Sequence, residues 1–480
     1  MLYALLVLAE PTVTAVNCRK GSLVTEKTLK RFESAEIELG GTVVFVGPNN
    51  AGKTTALQAL ALWNLGLRKW LDKRGSDQAA PAKRPGVTIN RRDLLALPIP
   101  DAKLLWRNLH VRTVQRTGDR QRTENIRIDI IVEGVTAGQK WLCGLEFDLA
   151  NEESFYCRPL RASQEGNQNR LSVPAVAGST KVAYLPPMSG LAATEIRLDP
   201  GAIEVALGEG RTADVLRNLC YLVWQDAPSW DRLCDRMREL FGIRLEEPEY
   251  RAARSELTMT YQDTDNVRLD LSAAGRGLQQ TLLLLAHLAW NTGSTLLLDE
   301  PDAHLEILRQ IYQVLTEAAR EQDSQIIAAS HSEVILNEAA ERDVVIAFVG
   351  RPHRIDDRGS QVLKSLRELG FDQYYQAELT GWVLYLGGST DLAILQTFAE
   401  RLQHPASAVL ADPFVHYVAN QPRRARDHFY GLREAKSDLV GYAVFDHLPE
   451  PPTGSIGCEI VMWARREIEN HLCQRDTLLA

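Results

Sequence analysis

The sequence predicts an α/β protein in two parts. The first is a larger head with a mixed sheet, an antiparallel lobe and a helical lobe, and the second is a smaller parallel α/β domain. Three observations carry this. A glycine-rich loop, GPNNAGKT (47–54), stands between an apolar strand pattern and a helical one. Three short apolar runs, TLLLDE (295–300), QIIAAS (325–330) and DVVIAFV (343–349), alternate with helical stretches, as the strands of a parallel sheet do. After roughly residue 378 a second strand–helix series begins.

The bulk properties are those of an ordinary globular chain. At 480 residues there is room for two or three domains, and 45% hydrophobic with 24% charged residues leaves ample core. The net charge of −8 excludes a uniformly basic nucleic-acid coat, so any DNA contact must be a local patch. Seven cysteines (Cys18, Cys143, Cys157, Cys220, Cys234, Cys458, Cys473) form no CxxC pair and are odd in number, which predicts reduced thiols and a cytoplasmic setting. No 18-residue apolar run predicts a membrane span. MLYALLVLAE (1–10) lacks a basic leader and a cleavage site, so it reads as a strand or an upstream start and not as a signal peptide.

In chain order, EIELGGTVVFV (36–46) alternates and then becomes continuously apolar, which predicts a buried strand. A helix follows from Lys53, then a polar Pro/Gly-rich loop, DKRGSDQAAPAKRPG (72–86). Residues 122–160 carry strand patterns spaced as an antiparallel meander. RASQEGNQNRLSVPAVAGS (161–179) reads as another loop. A Leu- and Ala-rich helical insertion lies around 201–245, strand signals return at 256–271, and a helix is expected at 278–291. YLPPMSGLAA (184–193) ends a strand at a Pro-Pro break and suggests no chemistry.

GPNNAGKT matches GxxxxGK[ST] in the required strand–loop–helix context. Gly47, Asn50 and Gly52 let backbone amides turn around phosphate, Lys53 reaches the β- and γ-phosphates, and Thr54, with Thr55 beside it, is placed for Mg²⁺ and phosphate. In TLLLDEPDAHLE (295–306) the apolar residues carry Asp299 to a strand end, where it can hold Mg²⁺, and Glu300 can polarise the attacking water. By itself the acid pair could equally be a helix cap. LSAAGRGLQQ (271–280) sets Ser272 and Gly275 ahead of a helix, an anion-binding terminus. ASHS (329–332) puts His331 just past a buried strand.

The order of these segments resembles an ABC-type ATPase head of the SMC and OLD (overcoming lysogenization defect) branch, with 271–280 as a loose signature motif. That resemblance implies ATP and Mg²⁺ as cofactors and a γ-phosphate contact for His331. It also implies a homodimer, or a higher homo-oligomer, in which Ser272 of one head touches nucleotide held by the other. It leaves the Q-loop glutamine open, with Gln115 one candidate. Asp299 follows Lys53 by 246 positions, too many for a compact transporter head.

YLGGSTDLAIL (385–395) opens the second part. Residues 382–472 hold three strand–helix steps, and Gly387, Asp391 and Asp446 fall at strand ends, where parallel sheets bind ligands. This layout resembles the TOPRIM domain of OLD-family nucleases. The resemblance implies metal-binding roles for Asp391, Asp446, Glu467 and Glu469. Asp391 could instead cap its helix, and Glu467 and Glu469 could form a solvated face. Gly387 stands where that family has a glutamate, FDHLPE lacks a second Asp, and only 11 residues follow Glu469. Two-metal cleavage needs several carboxylates, so the site reads as degenerate. The expected division is an ATPase domain at 1–375 and a TOPRIM-like domain at 376–480.

KLLWRNLHVRTVQRTGDRQRTENIR (103–127) carries seven Lys/Arg against two acids, and QPRRARDHF (421–429) is a second basic cluster. Such runs are either solvated faces or grips on phosphate backbone. Three readings of function remain. In one, an OLD-like ATPase of a DNA-directed, anti-phage kind senses and controls a separate effector, a nuclease or toxin. In another, the same chain is an ATP-regulated, metal-dependent DNA endonuclease. A transporter role is the third and weakest reading.

Overall fold

The computed structural model describes residues 12–19, 29–30, 32, 35–76, 86–90, 93, 99, 101–117, 120–136, 138–151, 154–161, 170–192, 194–302, 307–340, 342–349, 351–356, 365, 368–448 and 457–471. The opening decapeptide, the core of the 72–86 loop and Cys473 lie outside them. The chain forms two compact units, Met1–Arg354 and Ile355–Ala480. The boundary expected at 375 falls inside the helix Phe371–Thr380. Buried Ala377 of that helix belongs to the core of the second unit, so cutting there would split one packed element.

In the first unit a six-stranded sheet runs in the order Val182–Leu185, Thr295–Asp299, Gln325–Ser330, Thr42–Val46, Val344–Ala347, His353–Arg354. The first five strands are parallel and the last is antiparallel. The three apolar runs singled out in the sequence are three of these strands. Thr42–Val46 and Thr295–Asp299 are buried at every position, as strands covered on both faces must be.

A second six-stranded sheet contains the expected meander, Arg127–Thr136, Gln139–Asn151 and Ser154–Pro159, paired antiparallel. The single strand expected at 36–46 is two strands in different sheets. Ala35–Glu38 alternates buried and exposed and pairs with Thr12–Arg19, whereas Thr42–Val46 joins the parallel sheet. Each half has the pattern its environment demands, and the glycines at 40 and 41 separate them.

The helix Lys53–Arg74 lies between the two sheets, so it is buried almost all round. Leu57, Leu60, Trp63 and Leu67 share one core with Ile128, Leu145, Phe147 and Phe155. The Trp63 indole N–H donates to the Cys143 carbonyl at 3.1 Å, satisfying its one buried polar atom. The opposite side of the parallel sheet packs against the helices Pro200–Gly208, Leu216–Trp224, Ala227–Phe241 and Arg276–Trp290, the helical lobe foreseen at 201–245 and 278–291. Cys143, Cys157, Cys220, Cys234 and Cys458 are free thiols.

The second unit is a four-stranded parallel sheet in the order Val415–Tyr417, Trp382–Leu386, Val440–Phe445, Glu459–Met462. Three strands were expected and the fourth, EIVM, was not. The later helix expected in WARREIENHL is a short 3-10 turn, Ile468–His471. Among the described residues no helix is long and apolar enough to cross a membrane.

Candidate nucleotide site

Parallel register brings the carboxyl ends of three strands level. Asp299 lies opposite Ala329, and Ser330 lies opposite Val46. The glycine-rich loop, the acid pair and His331 therefore leave the sheet along one edge, with the Gln325–Ser330 strand between the other two. A cleft of about 650 Å³ opens there, lined by residues 49–55 and Glu300.

Gly52 caps the helix Lys53–Arg74 at φ 108° and, being glycine, makes no side-chain cap. A Cβ on Gly52 would also stand 2.7 Å from the Phe32 ring, so glycine is required on both counts. Asn50 takes φ 62° in the same loop. The Lys53 ammonium donates to the carbonyls of Gly47 at 2.7 Å and Pro48 at 2.9 Å. Burial pushes its pKa down, and Glu300, Asp299 and Asp302 oppose that. The cation is thus held in the loop at the N-terminus of the helix, which suits a polyanion.

Thr54 Oγ1 donates to Asp299 Oδ1 at 3.0 Å, and the Tyr184 hydroxyl donates to Asp299 Oδ2 at 2.9 Å. Burial raises the Asp299 carboxyl, and the bonds from Tyr184 and Thr54 pull it back. Glu300 takes φ 49°, a left-handed conformation rare outside glycine, while its amide donates to Ala329 at 2.9 Å. That strain aims its carboxylate into the cleft. The Asp302 carboxyl is raised by burial while a bond from Ser330 and the charge of His331 pull it down.

Gly47, Asn50, Gly52, Lys53, Thr54, Thr55, Asp299 and Glu300 are therefore brought together. Ser272 and Gly275 are not. They lie exposed before the helix Arg276–Trp290 and are absent from the cleft lining, as is exposed His331. Asp270 Oδ1 accepts from the Ser272 amide at 2.8 Å and from its hydroxyl at 2.6 Å. Buried Arg217 reaches the same oxygen at 3.4 Å, and Gln279 Nε2 donates to the carbonyls of Leu271 and Ala274. The signature-like turn is thus fixed from two sides. Gln115 lies on the hairpin strand Arg112–Thr117, and its side chain is outside the described residues.

Sequence reasoning missed Tyr184, Asp302 and Lys30. The Lys30 ammonium donates to Gln58 and feels the Asp299 charge. Tyr184 sits in the very segment that suggested no chemistry. Its only sequence signal was its place near the end of an apolar run, and its partner follows from sheet order.

In the second unit, Asp391 Oδ2 accepts from the Gly388 amide at 3.1 Å, the capping geometry of the plainer reading. Asn420, at φ 56°, donates to Asp446 Oδ2 at 2.5 Å and accepts from the Asp446 amide at 3.2 Å. Burial raises the Asp446 carboxyl, the Asn420 bond lowers it, and Asp391, Glu467 and Glu469 raise it further. The four acids thus share one neighbourhood. Among the described residues, however, no three His, Cys, Asp or Glu side chains group closely enough to hold a metal ion. Glu467 is exposed and precedes the 3-10 turn that carries Glu469.

Residues 221–337 match the family described as AAA domain, putative AbiEii toxin, Type IV TA system. The match spans the signature-like turn, Asp299, Glu300 and His331. No curated protein matches the chain. Solved structures similar to it include the Smc head bound to the C-winged helix domain of ScpA, 12% identical over 72% of this chain and 97% of that one, TM-score 0.39. The SMC head domain from Thermotoga maritima is 12% identical over 72% and 98%, TM-score 0.35. An Smc head with an extended coiled coil, bound to the C-terminal domain of ScpA and derived from Pyrococcus furiosus, is 12% identical over 74% and 100%, TM-score 0.39. With the family match and the phosphate-loop motif in one chain, the first unit carries an ATPase-type P-loop domain.

Proposed function

We propose that the first unit binds and hydrolyses ATP as an ABC-type head of the SMC and OLD branch, and that two copies close over the nucleotide. The observation that carries this reading is the 3.0 Å contact between Thr54 and Asp299, which joins residues far apart in sequence at the mouth of the glycine-rich loop. The donor set fits Mg²⁺, since a hydroxyl and a carboxylate are hard oxygen ligands. Thr54 and Asp299 are the residues to hold that ion, which supplies charge neutralisation to the phosphates when bound. Lys53 and the backbone of the glycine-rich loop bind and orient the phosphate chain. Glu300 accepts the proton of the attacking water at its carboxylate, with His331 contacting the terminal phosphate. The exposed Ser272 turn, outside the cleft of its own chain, is the surface offered to the nucleotide of a second copy.

The test is a pair of substitutions. Lys53→Ala removes nucleotide binding. Glu300→Gln retains ATP, stops turnover and accumulates a closed dimer in size-exclusion chromatography. Normal turnover by Glu300→Gln refutes the catalytic assignment.

The second unit, in this reading, is a degenerate TOPRIM-like domain, and the protein acts as a sensor and scaffold that controls a separate nuclease or toxin in a defence system. The matched family's description, a toxin of a toxin–antitoxin system, supports an effector context. Exposed Arg423, Arg424 and Arg426 on the helix Pro422–Ala435 offer a basic face to DNA backbone. The alternative, intrinsic DNA cleavage, is favoured by the three acids around Asp446. A plasmid-nicking assay with Mg²⁺ or Mn²⁺, with and without ATP, separates the two.

A further inference from the structure

Behind the Ser272 turn stands a buried arginine. Arg217, on the helix Leu216–Trp224, is 1% exposed. Its Nη1 donates to the Ala192 carbonyl at 3.1 Å and lies 3.6 Å from Glu195 Oε2. Its Nη2 donates to Asp270 Oδ1 at 3.4 Å. Glu195, 2% exposed on the strand Glu195–Ile196, anchors the start of the same helix. Its carboxylate accepts from the Arg217 amide at 3.0 Å, the Asn218 amide at 2.7 Å and Asn218 Nδ2 at 2.8 Å. The helix's own N-cap, Val215, makes no side-chain cap, so this distant acid meets its positive end. The arginine is thus fixed in place before it reaches Asp270.

Stability does not account for this arrangement. Well-packed apolar side chains often replace a buried ion pair without loss. The bond to Asp270 adds little, because that carboxylate is 45% exposed. Its effect falls on the turn instead. Asp270 Oδ1 also accepts from the Ser272 amide at 2.8 Å and the Ser272 hydroxyl at 2.6 Å. Burial works to raise the Asp270 carboxyl, but the Ser272 bonds and the Arg217 charge hold it below the usual carboxylate range. Asp270 is therefore an anion in a turn offered to a triphosphate, and unscreened it repels one. It also competes with phosphate for the Ser272 hydroxyl, which has a single proton to donate. When that proton turns to a phosphate oxygen, the Arg217 guanidinium and the Ser272 amide remain as the donors at Oδ1.

We propose that Arg217 is a positioning residue for ATP turnover in the neighbouring copy. It holds Asp270 behind the Ser272 turn and screens its charge, so that the Ser272 hydroxyl is free to leave Asp270 for the terminal phosphate held by a second copy. This inference rests on the two-copy reading given above and deepens it. Arg217 touches no nucleotide itself: it lies in the core of the helical lobe and acts through Asp270 and Ser272. Its loss therefore leaves the phosphate loop of its own copy intact and disables the site that its turn completes.

The experiment is ATP turnover by mixtures of variants of the full chain. Arg217→Met removes the guanidinium and keeps the three bonds that Glu195 accepts from the helix start. Thermal melts establish that it folds, and Arg217→Gln takes its place if it does not. Alone, the variant loses turnover about tenfold and binds a labelled ATP analogue as the wild type does. Mixed with Glu300→Gln, it regains turnover beyond the sum of the two measured separately. In the mixed pair, Glu300 and the phosphate loop of one copy meet an intact Ser272 turn from the other. A merely structural role for Arg217 is not rescued across copies. Ser272→Arg mixed with Glu300→Gln is the control. If the control gains nothing, the two-copy reading fails and the proposal fails with it. If the control gains turnover and the Arg217→Met mixture does not, the Arg217 assignment alone is overturned. Normal turnover by Arg217→Met, or loss of the ATP analogue, overturns it as well.

Discussion

Replacing Tyr184 by Phe removes one oxygen and tests whether Asp299 is held for work. The Tyr184 ring is buried at 8% exposure, so the benzyl group stays packed and only the 2.9 Å bond to Asp299 Oδ2 is lost. A hydrogen bond to a charged group contributes about 1.5–3 kcal/mol, which corresponds to about a ten- to hundredfold effect on a step that needs that carboxylate ionised and oriented. Asp299 keeps its bond from Thr54, so the expected loss lies toward the lower end, about tenfold in ATP turnover at limiting Mg²⁺. The pH dependence has a defined sign. Burial already raises Asp299, and the Tyr184 bond opposes it. Without that bond the carboxyl rises further, so the acid limb of the pH–rate profile moves to higher pH. The assay is steady-state ATP hydrolysis against Mg²⁺ and pH. An unchanged acid limb together with a Mg²⁺ dependence within twofold of wild type refutes the claim that Tyr184 tunes Asp299.

Two further substitutions probe other parts of the first unit. Asp270→Asn weakens the acceptor that fixes the Ser272 amide and hydroxyl, so turnover falls about tenfold while nucleotide binding, measured by fluorescence with a labelled ATP analogue, stays unchanged. Asp129 faces Glu146 across neighbouring strands, at 7% and 2% exposure, and burial followed by the Glu146 charge pushes its pKa up to about 7. The folded state therefore holds a proton that the unfolded chain releases near pH 4, so stability is fully present below that pH and is lost as pH rises through about 7. The contribution is on the order of 2–4 kcal/mol, and Asp129→Asn should flatten the fall in melting temperature between about pH 5 and pH 8.

Local pattern and spacing carried much of the first unit. The strand–loop–helix context of GPNNAGKT, the apolar runs before Asp299 and Ser330, and the meander at 127–159 were each legible because burial on two faces, burial on one face and a phosphate loop impose distinct periodicities. What was not legible depended on neighbours in space. Tyr184 acquires its partner only because Val182–Leu185 pairs with Thr295–Asp299, a choice that no periodicity encodes. The 36–46 run read as one strand because its two halves differ only in how many of their faces are covered. The boundary at 375 was misplaced because Phe371–Thr380 buries its apolar face in the second unit, and a helical pattern does not say which core it joins.

Gly387 shows the same limit, and it yields a prediction opposite to the one the sequence suggests. Read along the chain, it is an acidic position with its carboxylate missing, so restoring Glu should restore a metal ligand. In the fold the space is already filled. A Cβ at 387 would lie 2.9 Å from Asn420 Nδ2 and 2.9 Å from Asp391 Oδ2, and Asn420 in turn binds Asp446 through both its amide atoms. The Asn420 amide neutralises part of the repulsion that Asp446 feels from Asp391, Glu467 and Glu469. A glutamate at 387 would displace that amide and add a further negative charge to the group. Gly387→Glu should therefore destabilise the protein by about 1–3 kcal/mol, read as a lower melting temperature, with no gain in plasmid nicking. Combining it with Asn420→Gly removes the obstructing amide and frees the position's left-handed backbone from strain. In this double variant, added Mn²⁺ should raise the melting temperature, because metal bound to the folded state alone stabilises it. A single Gly387→Glu variant that melts like wild type would show that the Asn420 side chain yields freely, and the idea that it has taken over the glutamate's place would fail.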